Sequence, residues 1–310
     1  MTSPPPVART ASGVALACIA TSVGGATVVL MRYSVEEVDP LTLSAIRYAI
    51  GGVVLAAMVF GSMRLPRLVP REWSILFALA VIMYVVFPIL GAMAVEYTTA
   101  GRAGIVYATN PLVTVIVGAL IRVEKLTWKK VVAVLLAGAG MALALSHKVG
   151  AGLPDAWIGD LLMFATVLLA VAHNFIARPL IFRHGGLVVT AIALSLGGIM
   201  LVALTLVFAP PLSQSLSIGP WYWLAILALA IPGGALMNLI WAMALARILP
   251  SQATITIGLN PLVAILLGAA MLDETLSFTL FGGFVLVVAG IVLSNLDALR
   301  RPRGNSGPAS

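Results

Sequence analysis

Hydrophobic residues run along this chain in long blocks, separated by short segments that hold most of the charges, prolines and tryptophans. Each block has roughly 20 residues, the length at which an α-helix crosses a hydrocarbon core of about 30 Å. The alternation of apolar and polar positions that a β-barrel needs is missing. The pattern predicts an all-α integral membrane protein with ten transmembrane helices, near residues 11–31, 41–60, 73–95, 102–121, 129–146, 157–177, 187–208, 222–245, 251–271 and 278–296.

One segment of the chain occurs twice. Asn110-Pro111-Leu112-Val113 recurs 150 positions later as Asn260-Pro261-Leu262-Val263, and the matches around it need no gap. The first helices of each half correspond at an offset of 146, where Gly51-Gly52 meets Gly197-Gly198. Such self-similarity indicates a duplicated unit, here of five helices. We expect a short N-terminal segment at 1–10, repeats at 11–148 and 155–298, and a disordered tail at 299–310.

The loop after the repeated motif carries opposite charges in the two copies. The basic residues Arg122, Lys125, Lys129 and Lys130 are replaced by Leu272, Thr275, Thr279 and Leu280, and Asp273 joins Glu274. Five helices per unit invert the second unit, and basic residues collect on the cytoplasmic side of a membrane. We therefore expect two inverted five-helix repeats, with both termini in the cytoplasm and Asp273 outside.

Composition agrees with a membrane protein. The 310 residues are 61% hydrophobic and 9% charged, whereas soluble domains carry about 25% charged residues. The net charge of +7 comes from short loops and the C-terminus, which indicates anchoring at an anionic leaflet of the cell membrane rather than nucleic-acid binding. The single Cys18 excludes an internal disulfide.

The inverted repeat favours a secondary transporter, with a channel or a non-transporting structural subunit as the alternative. The expected partners are the lipid bilayer and a small-molecule substrate. We expect no enzyme, cofactor or metal site, because His147, His173 and His184 are scattered and the intramembrane segments lack clustered carboxylates. A nucleotide-driven pump would need a phosphate-binding glycine loop, which the sequence does not contain.

We expect helix breaks at three prolines. Pro111 and Pro261 occupy matching positions of the two halves, and Pro232 precedes two glycines. Proline removes a backbone donor and frees a carbonyl group one turn earlier. Paired interruptions at matching positions point to a transporter binding site. The alternative is that these prolines only kink packed helices.

Polar groups inside a membrane are costly, so each is a candidate for the lining of a cavity. Each also has a structural alternative: a hydroxyl can bond to its own helix, an asparagine can support a kink, and Trp241 can anchor at the interface. The candidate substrate-binding residues are Thr21, Ser22, Tyr84, Tyr107, Asn110, His173, Asn174, Asn238, Trp241 and Asn260.

Two of the polar side chains carry, or can carry, a positive charge. His173 is the intramembrane group whose ordinary pKa allows proton exchange near neutral pH, which makes it the candidate for proton coupling, with plain packing as the alternative. Asn174 should point about 100° away from it. Arg47 lies about two turns inside the second helix, where it either extends to the outer headgroups or attracts an anionic group.

The chain resembles the EamA family of the drug/metabolite transporter superfamily over about residues 11–296. The resemblance rests on the two Asn-Pro motifs, on Asp39-Pro40 followed by Arg47, and on Glu96-Tyr97-Thr98-Thr99-Ala100. It implies a secondary transporter, often an exporter of amino acids or related metabolites, with a central cavity. The second half departs from this pattern at Arg247-Ile248-Leu249-Pro250-Ser251, which lacks the tyrosine of the first half.

Overall fold

The computed structural model describes residues 7–35, 37–62, 66–98, 100–146, 155–209, 219–272 and 278–299. This part of the chain is helical and contains no strand. We number ten helical segments in chain order. They are α1 (Val7–Ser34), α2 (Pro40–Ser62), α3 (Pro70–Tyr97), α4 (Ala100–Tyr107 and Asn110–Leu120), α5 (Trp128–Leu145), α6 (Ala156–His184), α7 (Gly186–Phe208), α8 (Pro220–Leu245), α9 (Pro250–Ile255, Thr256–Gly258 and Leu259–Leu272) and α10 (Phe278–Leu299).

Helix starts follow from local chemistry. Proline opens α2, α3, α8 and α9, a position where its missing N–H costs no helical hydrogen bond. The Asp39 carboxylate caps α2 by accepting hydrogen bonds from the backbone N–H groups of Leu41 at 3.1 Å and Thr42 at 3.0 Å. The turn from α6 to α7 needs Gly185, whose φ of 86° favours glycine.

Eight of the helices described are long and apolar enough to cross a membrane. Of the ten predicted spans, α5 and α10 do not meet that criterion. The apolar described part of α10 is the shorter stretch Phe281–Ser294. Large apolar side chains such as Leu120 and Phe208 cover the outer faces of the bundle, as expected for helices in lipid. The chain is therefore an all-helical, multi-pass membrane protein.

Helices at corresponding positions of the two sequence repeats pack in corresponding ways. Helix α2 packs along α7, and α5 packs along α10. Helix α1 lies against α8 and α9, and α6 lies against α3 and α4 in the corresponding way. Glycines make the closest approaches: a Cβ added at Gly51 would lie 3.1 Å from the carbonyl oxygen of Ala230, and one at Gly197 would lie 3.4 Å from that of Ala80.

Four helices are interrupted. Helix α3 contains a π-helical turn at Val81–Val86, and α8 contains one at Ile231–Leu236, 150 positions later. Helix α4 breaks before Asn110, and α9 passes through a 3₁₀ turn before Leu259. A break at Pro232 was predicted from the sequence, whereas the turn in α3 was not. Pro88 could have indicated the turn in α3, because a proline at this position frees the carbonyl group of Tyr84.

The predicted outer position of Asp273 and Glu274, the segment at 1–6 and the tail from 300 onwards lie outside the described residues.

Candidate functional site

The two π-helical turns bring polar side chains of α3 and α8 together inside the bundle. Tyr84 is buried on the turn of α3, and its hydroxyl donates a hydrogen bond to Asn238 Oδ1 at 3.3 Å. The Asn238 amide in turn donates to the carbonyl oxygen of Gly234 at 2.7 Å, within the turn of α8. A π-helical turn frequently marks a functional site because it displaces the regular backbone hydrogen bonds. Here Asn238 links the backbone of the turn in α8 to the side chain of Tyr84 on the turn in α3.

Aromatic rings extend this cluster towards α6 and α2. The Tyr84 ring meets the His173 ring edge to face at a centroid distance of 6.3 Å, and it meets the Tyr48 ring at 5.4 Å. Edge-to-face contacts of this kind fix ring orientation. His173 therefore faces Tyr84 across the space between α3 and α6.

Trp241 of α8 also belongs to this cluster. Its indole N–H donates to Asn174 Oδ1 at 3.0 Å, so a partly buried polar contact joins α6 and α8. The ring next to His173 is that of Tyr84, whereas Asn174 accepts the hydrogen bond of Trp241. Trp241 lines the interior here, and its contact with Asn174 does not fit the interfacial anchor that was its alternative.

A small cavity lies among these side chains. Its polar lining consists of Tyr84, His173, Thr190, Asn238 and Trp241. Its apolar lining consists of Ala177, Ile181, Val189, Ala193, Ala242 and Leu245. The space open to the centre of a water molecule is about 10 Å³, which suffices for roughly one water. The helices therefore pack closely around the cluster in this conformation.

Other predicted site residues lie away from this cavity, on α1 and α4. Thr21 donates to the carbonyl oxygens of Ala17 and Cys18 at 2.9 and 3.0 Å, within its own helix. Ser22 is half-buried on the same helix. Tyr107, one turn before Pro111, places its ring 6.4 Å from the Phe87 ring.

The two motif asparagines are placed differently. Asn110 is fully buried, and its oxygen atoms accept from the Thr114 hydroxyl at 2.8 and 3.3 Å. Asn260, next to Pro261, faces α1, where its Oδ1 would lie 2.9 Å from a Cβ added at Gly24. One polar atom of each, Asn110 Nδ2 and Asn260 Oδ1, is buried without a hydrogen-bond partner in the described chain. Such atoms are rare and call for an explanation.

Ionic contacts join the two halves of the chain near the helix ends. The Glu72 carboxylate accepts from Arg183 at 2.7 Å and contacts His184 at 2.9 Å. Glu124 accepts from the backbone N–H of Ser251 at 3.1 Å. Each contact links the first half of the chain to a helix of the second, so these contacts hold the two halves together at this end.

A further polar contact lies at the start of α6. Asp160 accepts from Arg102 at 2.5 Å and from the Thr98 hydroxyl at 3.2 Å. It joins α6 to the junction of α3 and α4. Among the residues described, no group of three histidine, cysteine or acidic side chains could hold a metal ion.

Comparisons with known proteins give the family. The profile of the EamA-like transporter family matches residues 11–146 and 157–296. The uncharacterized transporter YetK of Bacillus subtilis (strain 168) is 24% identical over 295 residues, which cover 94% of this chain and 88% of YetK.

A probable terminal-alkyne amino-acid exporter of Streptantibioticus cattleyicolor is 27% identical over 218 residues, which cover 68% of this chain and 69% of the exporter. A crystal structure with 22% identity matches with a TM-score of 0.76 over 95% of this chain and 99% of its own, which shows the same fold. The resemblance seen in the sequence is confirmed, and the protein belongs to the EamA-like transporter family.

Proposed function

We propose that the protein is a secondary transporter that exports small metabolites, such as amino acids, by alternating access to a central site. The observation that carries the proposal is the cluster of Tyr84, His173, Asn238 and Trp241 between two π-helical turns that lie 150 positions apart. Polar groups inside a membrane are energetically costly, so each one that is present is a candidate for function. Export is supported by the name of the Streptantibioticus cattleyicolor relative.

The proposed architecture is ten membrane spans in two inverted five-helix repeats, with both termini in the cytoplasm. The corresponding helix pairs and the matching π-helical turns support it. In this orientation the contacts of Glu72 and Glu124 close the cytoplasmic end, and the contact of Asp160 closes the outer end. In alternating access, the contacts at one end of the bundle break while the contacts at the other end remain formed.

The chemistry of the cavity suits a small zwitterion or a neutral metabolite. The Tyr84 hydroxyl, the Asn238 amide and the Trp241 indole offer hydrogen bonds, and the rings offer an apolar wall. Because Asn238 also bonds to the carbonyl oxygen of Gly234, a solute that recruits the amide would loosen the turn of α8. His173 is the proposed proton carrier if export is driven by a proton gradient.

The proposal is tested by counterflow in proteoliposomes and by analysis of the medium of cells that express the protein. We expect saturable exchange of at least one small metabolite, lowered by Tyr84→Phe and by Trp241→Phe. Tyr33→Phe and Trp157→Phe are matched controls, because both rings are exposed on the outside of the bundle. Flux that does not saturate and shows no exchange would favour the channel, and identical behaviour of site and control variants would reject the cavity.

A further inference from the structure

Arg47 is a buried cation in the membrane part of α2. Its side chain lies between α2 and α8, and the residue is only 8% exposed. It therefore does not extend to the headgroups, the alternative favoured by its distance from the helix start. Removing a charge from water is expensive unless an opposite charge and hydrogen bonds compensate for it.

The compensation that Arg47 receives is incomplete. One terminal nitrogen donates to the carbonyl oxygen of Gly233 at 2.8 Å, and the guanidinium lies 5.2 Å from the centre of the Tyr48 ring. Its Nε is buried without a hydrogen-bond partner in the described chain. No carboxylate of the residues described forms an ion pair with it, and Asp39, which precedes α2, is engaged in capping the helix start. A neutral carbonyl and a ring do not replace a counterion.

The scaffold itself does not require an arginine at this place. The repeat offset of 146 relates Arg47 to Ala193 on α7. Ala193 lines the cavity, and four residues further along, Gly197 packs against Tyr84 of the other π-helical turn. In the second half, α7 therefore packs against the π-helical turn of α3 with the methyl group of Ala193 at the position where α2 has the side chain of Arg47. The charge in the first half has to be explained by something other than packing.

Arg47 is connected to the cavity in two ways. Its neighbour Tyr48 contacts the Tyr84 ring, which lines the cavity. Its hydrogen bond to Gly233 holds the π-helical turn whose next carbonyl, that of Gly234, is bonded to Asn238. An anion that engages the guanidinium competes with Gly233 and loosens the same turn that carries Asn238. Binding at Arg47 would thus act directly on the flexible part of α8.

We propose that Arg47 binds the carboxylate of the transported solute, an inference that rests on the proposed function and narrows it to small carboxylic acids, amino acids included. A guanidinium presents two parallel N–H donors that match the two oxygens of a carboxylate. The solute supplies the counterion that the buried charge lacks, while the hydroxyl and amide groups near Tyr84 receive its remaining polar groups.

The test uses the full chain, purified and reconstituted in lipid nanodiscs, with Arg47→Met, Arg47→Lys and the control Arg178→Met. Arg178 is a half-buried arginine of α6 that bonds to the carbonyl oxygens of Leu245 and Ile248 at the end of α8. The probes are the proteinogenic amino acids and acetate, each paired with the amide that lacks the carboxylate. The readouts are the melting temperature without a probe and its increase with each probe.

We expect one or more carboxylates, and none of their amides, to raise the melting temperature of the wild type. Arg47→Met should weaken that binding by about tenfold or more, and Arg47→Lys should bind more weakly than the wild type, because it keeps the charge but loses the paired donors. The empty Arg47→Met protein should melt no lower than the wild type, whereas Arg178→Met should melt lower and still distinguish acids from amides.

Three results would overturn the assignment. They are stabilisation by amides equal to that by acids, a panel in which no carboxylate stabilises the wild type, and a marked drop in the melting temperature of empty Arg47→Met. The last would identify Arg47 as a structural clamp on Gly233. If carboxylates bind through Arg47 but no export occurs, the transporter proposal fails and the binding site stands.

Discussion

Replacing Gly197 by alanine tests the close contact between α7 and the π-helical turn of α3. The new Cβ would lie 2.4 Å from the Cβ of Tyr84 and 3.4 Å from the carbonyl oxygen of Ala80. Carbon atoms pack at about 3.5–4.0 Å, so the two helices must separate by roughly 1 Å. Because the obstacle is the Cβ of Tyr84, a rotation of its side chain cannot relieve the clash.

The expected cost follows from two opposing effects. Overpacking of a tight contact destabilises by about 1–3 kcal/mol, and a clash with a Cβ atom belongs at the upper end of that range. Alanine in a helix interior recovers about 1 kcal/mol relative to glycine. The net loss should be about 2 kcal/mol, or several degrees in melting temperature for a chain of this size. Gly51→Ala, whose Cβ would meet the Ala230 carbonyl oxygen at 3.1 Å, should lose less.

Gly91→Ala is the matched control, since its Cβ would have no neighbour within 4 Å and the substitution should be neutral or stabilising by up to about 1 kcal/mol. The measurement is the melting temperature of the three purified variants in one detergent. The expected order of stability is Gly91→Ala, then Gly51→Ala, then Gly197→Ala. If Gly197→Ala is as stable as Gly91→Ala, the described packing of α7 on α3 is wrong.

Three further predictions concern topology, the helix breaks and coupling. A cysteine at Lys129 should be shielded from an impermeant thiol reagent in intact cells and one at Asp273 should be labelled; the reverse pattern would contradict the inverted repeat. Pro111→Ala and Pro261→Ala should fold but transport poorly, because each restores the donor that the break lacks; normal transport by both would reduce the prolines to packing kinks. His173→Gln should lose accumulation driven by a pH gradient and retain substrate exchange, whereas accumulation that persists in the variant would exclude this histidine as the proton carrier.

The helical fold and the family could be predicted from the sequence because both rest on properties that are local to the chain. A run of apolar residues must satisfy its backbone hydrogen bonds within itself in lipid, so hydropathy alone indicates a helix. Asn110-Pro111 and its copy at Asn260-Pro261 survive as short identical strings, which need no tertiary information to recognise. The sequence predicts ten spans, and eight of the helices described have the length and hydropathy to cross a membrane.

Which polar side chains meet was decided by tertiary packing. The sequence gives each residue a direction around its own helix, but the rotation of that helix against its neighbours depends on contacts between distant segments. His173 and Asn174 are adjacent in the chain. The packing of α3 against α6 places the Tyr84 ring next to His173, and the packing of α8 against α6 places the Trp241 indole next to Asn174. Arg47 had two possible environments, and the approach of α8 placed it on the Gly233 carbonyl oxygen because glycine leaves that backbone accessible.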